Sequence, residues 1–433
     1  MKRPPLWLRF LFKLIFGVLL FLLCMQLGRC LSGAPVDSFY EETSTIEEDF
    51  EEEVNEVLPT ENKKEEIPKA NEKETSKTQE EPIESKNDAI DSTHILSQKN
   101  VHLAKKIDNL LRTFKPAHAL YLIVDAKSNE IIAWGENKDM VVQSTPDYLS
   151  RSTFPAASLI KTVTLAAALE SKQYSLNTPI PLIGNAHTLY KNQLKPKSNY
   201  KGETVSIKDA YARSYNPPMA IAGYKVGANA LRKAAKQLGF NQSFPKNAPH
   251  RSDFSPPDTG YGLAEAASGF TNKTTLSPLL AAAQIRAILY SRPLEIPHAK
   301  NISPYAPKKP LALSVSKFSE NTYYGLREAM VRSVTNGTAR KNISTTYMAR
   351  KNYNDLQIGG KTGTVDGNSP AGRYEWFAGF ARFKENPQEG IVLVVMQAHY
   401  NTENATRSQP ATQVAAMLIN YWAHWSRSKE KEN

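Results

Sequence analysis

A serine and a lysine three residues apart form the first group in this sequence that could do chemistry, Ser158-Leu-Ile-Lys161. A serine hydroxyl is a weak nucleophile at neutral pH and needs a base beside it. In a helix the two side chains share a face, so the lysine amine could take the proton if burial and a neighbouring positive charge held it neutral. The pattern alone is weak, because five other serines also precede a lysine by three residues: Ser198, Ser243, Ser314, Ser426 and Ser428.

A second short motif, Ser214-Tyr-Asn216, offers another hydroxyl and an amide. The segment before it, residues 205–213, predicts a short helix that ends at a turn. Two prolines follow, Pro217 and Pro218, and we expect them to limit how this loop moves. A turn or a capping serine is an equally good interpretation of the motif alone.

The third motif, Lys361-Thr-Gly-Thr364, contains the only Lys-Thr-Gly of the chain. On a strand, Lys361 and Gly363 point to one face, and Thr362 and Thr364 point to the other. Glycines next to such a strand let a ligand backbone lie along it, so this edge could pair with a substrate peptide while Lys361 attracts a carboxylate. The alternative is a glycine-rich hairpin with an ordinary surface lysine.

Two kinds of element must position these motifs. Pro155 and the small residues after it predict a helix that places Ser158 in its first turn. Elsewhere, apolar periodicity predicts an α+β fold, in which an antiparallel sheet is flanked by helices. The predicted helices are residues 103–114 and 414–425, and the predicted strands are residues 119–124, 130–134, 375–382 and 391–398.

The N-terminal region differs in character from the rest. Residues 14–27 carry no charge, and with residues 10–13 they approach the roughly 20 residues that cross a bilayer. Basic residues precede them, so we expect residues 1–30 to be a cytoplasmic tip and signal-anchor transmembrane helix, with the rest of the chain on the outer face of the cytoplasmic membrane. A cleaved signal peptide is the alternative. Residues 37–91 carry 20 acidic and 6 basic residues, which predicts a disordered tether over residues 31–94.

Composition excludes several classes of function. Cys24 and Cys30 are the only cysteines, so no thiol is available to a domain at residues 95–433. The eight histidines are scattered singly, and we expect no metal site. The net charge of +11 is a sum over segments of opposite charge, so it does not describe one surface. Export and the lack of a basic-aromatic recognition motif argue against nucleic acid as a partner.

Taken together, the three motifs in this order resemble the penicillin-binding proteins and serine β-lactamases. The chain is similar to the transpeptidase domain of the penicillin-binding proteins from about residue 95 to residue 425. The similarity includes the opening hairpin at residues 122–133, a helix and turn at residues 325–339, and the strand Trp376-Phe-Ala-Gly-Phe380. It implies an α+β fold with an additional all-helical lobe.

The resemblance also implies roles for individual residues. Ser158 would attack the penultimate D-alanine of a stem peptide that ends in D-Ala-D-Ala, with Lys161 as general base. Ser214 would pass a proton to the leaving D-alanine, and Asn216 would hold the donor amide. The terminal carboxylate and the oxyanion would be bound along the third motif, by Lys361, Thr362, Gly363 and Thr364, with the backbone N–H groups of Ser158 and Thr364 forming the oxyanion hole.

The expected activity is a D,D-transpeptidase that needs no cofactor, is acylated by β-lactams and works with other proteins of cell-wall synthesis. Three alternatives remain: a class D-like β-lactamase, a D,D-carboxypeptidase, and a non-catalytic wall-binding or regulatory protein on the same scaffold. The acidic tether is too short and polar to fold as the glycosyltransferase domain of bifunctional relatives, so glycan polymerisation is not expected.

Overall fold

The computed structural model of the protein describes residues 92–195, 199–243, 251–302, 304–368, 371–400 and 409–432. The expected membrane segment and nearly all of the acidic tether lie outside these residues. Within the described ranges, no helix has the length and apolar character of a membrane span.

The elements alternate between helices and strands along the chain. In chain order they are α1 (Ser92–Leu96), α2 (Val101–Phe114), β1 (His118–Asp125), β2 (Ile131–Lys138), β3 (Val141–Gln143), α3 (Lys161–Glu170), β4 (Pro179–Pro181), β5 (Thr204–Ser206), α4 (Ile207–Ala212), α5 (Asn216–Gln237), α6 (Gly260–Ser268), α7 (Pro278–Tyr290), β6 (Glu295–Ile296), β7 (Leu311–Ala312), α8 (Glu320–Asn336), α9 (Arg350–Asp355), β8 (Leu356–Asn368), β9 (Ala371–Phe383), β10 (Gly390–Tyr400) and α10 (Ala411–Glu432).

A six-stranded antiparallel sheet forms the centre of the fold, with the strand order β3-β2-β1-β10-β9-β8. Strand β8, which carries the third motif, therefore lies at one edge. The helices and strands expected from periodicity are all present, and the antiparallel arrangement of the α+β fold is confirmed. The first strand and the last, β1 and β10, pair antiparallel in the middle of the sheet, and both are apolar and buried over their central residues, 119–124 and 391–396.

Both faces of the sheet are covered. On β1, Leu120 and Leu122 face a core shared with helices α3 and α5 to α8, while Tyr121 and Ile123 face a second core. Helices α2 and α10 cover that second face. Period-2 alternation sends neighbouring side chains to opposite faces, so a strand buried on both sides is apolar throughout. Asn100 caps α2 by accepting a hydrogen bond of 3.0 Å from the N–H of Leu103, a cap typically worth about 1 kcal/mol.

Two details differ from the sequence-based expectation. The α-helix expected to begin at Pro155 begins at Lys161, and a 3₁₀ turn, Ala157–Ile160, precedes it. Ala157, the first residue of this turn, has a left-handed backbone with φ 47°, which an α-helix does not accommodate, so the α-helix begins only after it. Pro217 and Pro218 do not restrain a loop, since they occupy the first turn of α5. Proline is well suited to that position because its missing N–H has no intrahelical partner there.

Candidate active site

The turn that carries Ser158 is held from two sides. The indole Nε1 of Trp376, on β9, donates a hydrogen bond of 2.9 Å to the carbonyl oxygen of Pro155. Gly269, the residue after α6, lies so close that a Cβ atom there would be 2.1 Å from the carbonyl oxygen of Ala157. Close packing on both sides holds the turn in a strained conformation, in which Ala157 has a φ of 47°. Such strain is common at active sites.

The amine of Lys161 is completely buried and has three partners. Its Nζ lies 2.8 Å from the Oγ of Ser158 and 2.8 Å from the Oδ1 of Asn216, and it also donates to the carbonyl oxygen of Ser268. A neutral amine has two N–H donors and one lone pair. The Oδ1 of Asn216 and the carbonyl oxygen of Ser268 can only accept, so in the neutral amine they would take both N–H groups and leave the lone pair for the hydroxyl of Ser158.

The charge state of Lys161 agrees with this arrangement. Burial, and then the nearby charge of Lys361, hold the pKa of Lys161 well below its ordinary 10.5. A depressed pKa favours the free base, which is the form that proton abstraction from a hydroxyl needs. The site therefore holds a serine hydroxyl in direct hydrogen-bond contact with an amine whose pKa is depressed.

Ser214 and Lys361 form a second pair in the same site. The Nζ of Lys361 donates a hydrogen bond of 2.9 Å to the Oγ of Ser214 and one of 2.8 Å to the carbonyl oxygen of Thr362. Burial lowers the pKa of Lys361 to about 7. The backbone of Ser214 is left-handed, with a φ of 58°, as is the backbone of Ala157 in the turn that carries Ser158. The hydroxyl of Ser214 is thus placed to exchange a proton with a group in the site.

Asn216 links the second motif to the first. Its Oδ1 accepts from Lys161, and its Nδ2 donates a hydrogen bond of 2.8 Å to the carbonyl oxygen of His187. One hydrogen of the Nδ2 group remains for a ligand. The amide is therefore oriented with its oxygen toward the base.

The third motif lies along the edge strand β8, next to the turn of Ser158. A Cβ atom on Gly363 would be 3.3 Å from the carbonyl oxygen of Ala156, so strand and turn approach closely at this glycine. Lys361 and Gly363 are buried on the side of the site, Thr364 is exposed, and Thr362 is half-buried. The Oγ1 of Thr362 is 2.6 Å from the Oγ1 of Thr338.

Sequence reasoning named eight site residues, and the structure links six of them directly by hydrogen bonds: Lys161 with Ser158 and Asn216, and Lys361 with Ser214 and with the carbonyl oxygen of Thr362. Their catalytic roles stay predictions. Ser268 and Thr338 were missed. Ser268 contributes only a backbone carbonyl oxygen, which every residue type has, so its side chain gave no signal. Thr338 could have been found, because it lies in the segment of residues 325–339 that resembles the family. Among the described residues, no group of three or more His, Cys, Asp or Glu side chains is arranged to hold a metal ion.

Comparisons with known proteins agree on one family. The family model described as the penicillin binding protein transpeptidase domain matches residues 119–419, which is more than half of the chain. A curated relative, the peptidoglycan D,D-transpeptidase PbpA of Mycobacterium tuberculosis, is 27% identical over 287 residues, which cover 61% of this chain and 54% of the relative. The chain thus spans about half the length of that relative.

Solved structures share the fold. Penicillin-binding protein A from M. tuberculosis, as its imipenem acyl-enzyme complex, has a TM-score of 0.54 at 18% identity, covering 74% of this chain and 78% of that one. The transpeptidase domain of Burkholderia pseudomallei penicillin-binding protein 3 has a TM-score of 0.54 at 15% identity, covering 78% of this chain and 95% of that one. Given the family model that matches it over residues 119–419, the chain belongs to the penicillin-binding protein transpeptidase domain family.

Proposed function

We propose that the protein is a D,D-transpeptidase that cross-links peptidoglycan stem peptides ending in D-Ala-D-Ala through an acyl-enzyme on Ser158. The observation that carries the proposal is the contact of 2.8 Å between the Oγ of Ser158 and the completely buried Nζ of Lys161. The name of the curated relative, a peptidoglycan D,D-transpeptidase, supports the same activity.

In the first half of the reaction, Lys161 takes the proton of Ser158 as the Oγ attacks the carbonyl carbon of the penultimate D-alanine. The negative charge passes to the carbonyl oxygen, which the backbone N–H groups of Ser158 and Thr364 bind. One such donor is typically worth about 100-fold to 1000-fold in rate. Lys361, Thr362 and Thr364 hold the terminal carboxylate of the substrate.

Collapse of the intermediate breaks the peptide bond and leaves the acyl group on Ser158. Ser214 donates its proton to the nitrogen of the departing D-alanine and recovers one from Lys361, with which it shares a hydrogen bond of 2.9 Å. In the second half, the amine of another stem peptide attacks the ester and gives a proton to Ser214, which passes one back to Lys361. The ester bond breaks, and Ser158 regains its proton from Lys161. A β-lactam follows the first half alone, because its leaving group stays attached and blocks the acceptor.

Labelling with a fluorescent penicillin tests this function. We expect the full-length protein to be labelled, the Ser158→Ala variant to fold and remain unlabelled, and Ser314→Ala to be labelled as the wild type is. Ser314 is a suitable control, since it also precedes a lysine by three residues but lies outside the site. Label in Ser158→Ala would place the nucleophile elsewhere and overturn the proposal.

Two further measurements separate the related activities. Incubation with stem pentapeptides and an amine acceptor is expected to give cross-linked product, while release of D-alanine without cross-links would indicate a carboxypeptidase. Turnover of the penicillin adduct within seconds would indicate a β-lactamase instead.

We further propose that the enzyme acts at the outer face of the cytoplasmic membrane, on a single membrane span within residues 1–30, with residues 31–94 as spacer and residues 95–433 as the enzymatic domain. The uncharged run at residues 14–27 and the basic residues before it support this topology. There it would act together with other proteins of cell-wall synthesis. Removal of residues 1–30 is expected to release the protein from the membrane fraction, and retention there would contradict the anchor.

A further inference from the structure

A loop between β4 and β5 lies directly against the second motif. We name residues 183–194 the clamp loop. Two of its carbonyl oxygens accept hydrogen bonds from Asn216. That of Ala186 accepts from the backbone N–H at 2.7 Å, and that of His187 accepts from the Nδ2 at 2.8 Å. An amide whose nitrogen is held in this way must turn its oxygen to the other side, where it meets Lys161.

The clamp loop also connects the two helices that supply the acceptors of Lys161. Leu189 is only 2% exposed and packs against Ala220 of α5 and Ala264 of α6. The hydroxyl of Tyr261, on α6, donates a hydrogen bond of 2.6 Å to the carbonyl oxygen of Leu189. Helix α5 begins with Asn216 and helix α6 ends with Ser268. The loop therefore holds together the two helix ends that orient the buried amine.

A single side chain, Gln193, organises the clamp loop internally. Its Nε2 donates to the carbonyl oxygens of Ile183 and Asn185, at 2.6 and 3.2 Å. Its Oε1 accepts from the N–H of Tyr190 at 2.7 Å and from the Oγ1 of Thr188 at 3.3 Å. All four hydrogen-bonding positions of the amide are occupied, and the side chain is 3% exposed. The segment has one turn of 3₁₀ helix as its only regular structure, so its shape depends on these bonds.

We propose that Gln193 is a positioning residue for the reaction at Ser158, because it shapes the loop that fixes the amide of Asn216 and thereby the amine of Lys161. This inference rests on the proposed function. Without Gln193, the carbonyl of His187 is no longer held in place and the amide of Asn216 is free to rotate. The amine then loses a fixed acceptor and its lone pair is no longer aimed at the hydroxyl. A misplacement of about 1 Å costs on the order of 100-fold in rate.

A double-mutant cycle tests this coupling. The second-order rate constant for acylation by a fluorescent penicillin is measured for the full-length wild type, Gln193→Ala, Asn216→Ala and the double variant, with slow reactions followed by mass spectrometry of the adduct. We expect Gln193→Ala to lower the rate constant by about 10-fold to 100-fold in the wild-type background. In the Asn216→Ala background the same substitution is expected to change it by less than about twofold, since the residue through which it acts is gone.

Two additional variants exclude a general loss of stability. Gln284→Ala removes another buried glutamine, which donates 2.8 Å to the carbonyl oxygen of Leu238, and it is expected to lower the melting temperature but not the acylation rate. The second variant is Tyr261→Phe, at a half-buried residue of α6. It removes the hydrogen bond to the carbonyl oxygen of Leu189, and it is expected to keep the fold and to slow acylation severalfold.

The outcomes separate the inference from the proposed function. Equal effects of Gln193→Ala in both backgrounds, or wild-type acylation of the correctly folded Gln193→Ala and Tyr261→Phe variants, would overturn the positioning role while the label on Ser158 stands. A label that persists in Ser158→Ala overturns the function itself.

Discussion

Lys361 donates a hydrogen bond of 2.9 Å to the hydroxyl of Ser214, from which it is 147 residues distant in the chain. The bond joins the edge strand β8 to the turn before α5. The same Nζ lies 5.6 Å from the centre of the Tyr211 ring, which favours the charged form. That charge also helps to lower the pKa of Lys161. Lys361 therefore influences the base of the site through its charge, and the pH dependence of the enzyme should report both lysines.

The rate constant for acylation of the free enzyme is expected to follow a bell-shaped pH profile. Acylation needs Lys161 neutral, so the rate rises as the pH rises through the depressed pKa of Lys161. It also needs Lys361 charged, so the rate falls as the pH rises through the pKa of Lys361 at about 7. Stopped-flow measurement with a fluorescent penicillin gives both limbs. A rate that keeps rising into alkaline buffer would contradict the role given to Lys361.

Replacing Lys361 should move the ascending limb of this profile, which reports the pKa of Lys161. Lys361→Met removes a positive charge that lowers the pKa of Lys161, so the ascending limb is expected to shift to higher pH. Lys361→Arg retains the charge and is expected to keep the ascending limb in place while the descending limb disappears. The same stopped-flow series, with circular dichroism to verify folding, measures both variants. An unchanged ascending limb in Lys361→Met would show that the two lysines are not coupled.

Removal of the base should abolish most of the activity without unfolding the protein. Lys161→Met is expected to lower the acylation rate constant by about 100-fold to 10,000-fold, the usual contribution of general acid–base catalysis. The matched control is Lys105→Met, because Lys105 is an exposed lysine of α2 outside the site. Near-normal acylation of Lys161→Met, quantified by mass spectrometry, would argue for another base.

Two glycines at the ends of helix α6, Gly260 as its first residue and Gly269 just after it, distinguish backbone strain from close packing at the nucleophile. Gly260 and Gly269 have φ values of 81° and 68°, and a Cβ on Gly260 has no atom within 4 Å. Gly260→Ala is therefore expected to cost only the left-handed backbone strain, about 1–3 kcal/mol. Gly269→Ala adds a clash with the carbonyl of Ala157, and a further loss of about 1–3 kcal/mol is expected.

Urea unfolding of the two glycine variants measures these losses, and penicillin labelling measures their effect on Ser158. Only Gly269→Ala is expected to slow acylation, because the displaced carbonyl belongs to the residue before the nucleophile. Equal losses of stability and rate in both variants would mean that the contact with Ala157 has no specific role.

The local features of this protein follow from its amino-acid sequence alone. The apolar runs in residues 119–124 and 391–398 and the helical periodicity of residues 103–114 are set by short-range geometry, and each appears in the structure as expected. The three motifs and their order determined the family and eight candidate site residues. These inferences succeed because backbone geometry and the side-chain chemistry of a motif depend on neighbours within a few residues.

How distant groups meet depends on tertiary packing. No local pattern shows that β8 is the sheet edge, that Trp376 holds the carbonyl of Pro155, or that the amine of Lys161 finds a backbone carbonyl at Ser268. The 3₁₀ turn at Ser158 likewise arises from packing against Gly269 and β8, which overrides the helix-forming tendency of the residues around it. Burial is the common physical reason, because the pKa of Lys161 is depressed only where folding has removed its amine from water.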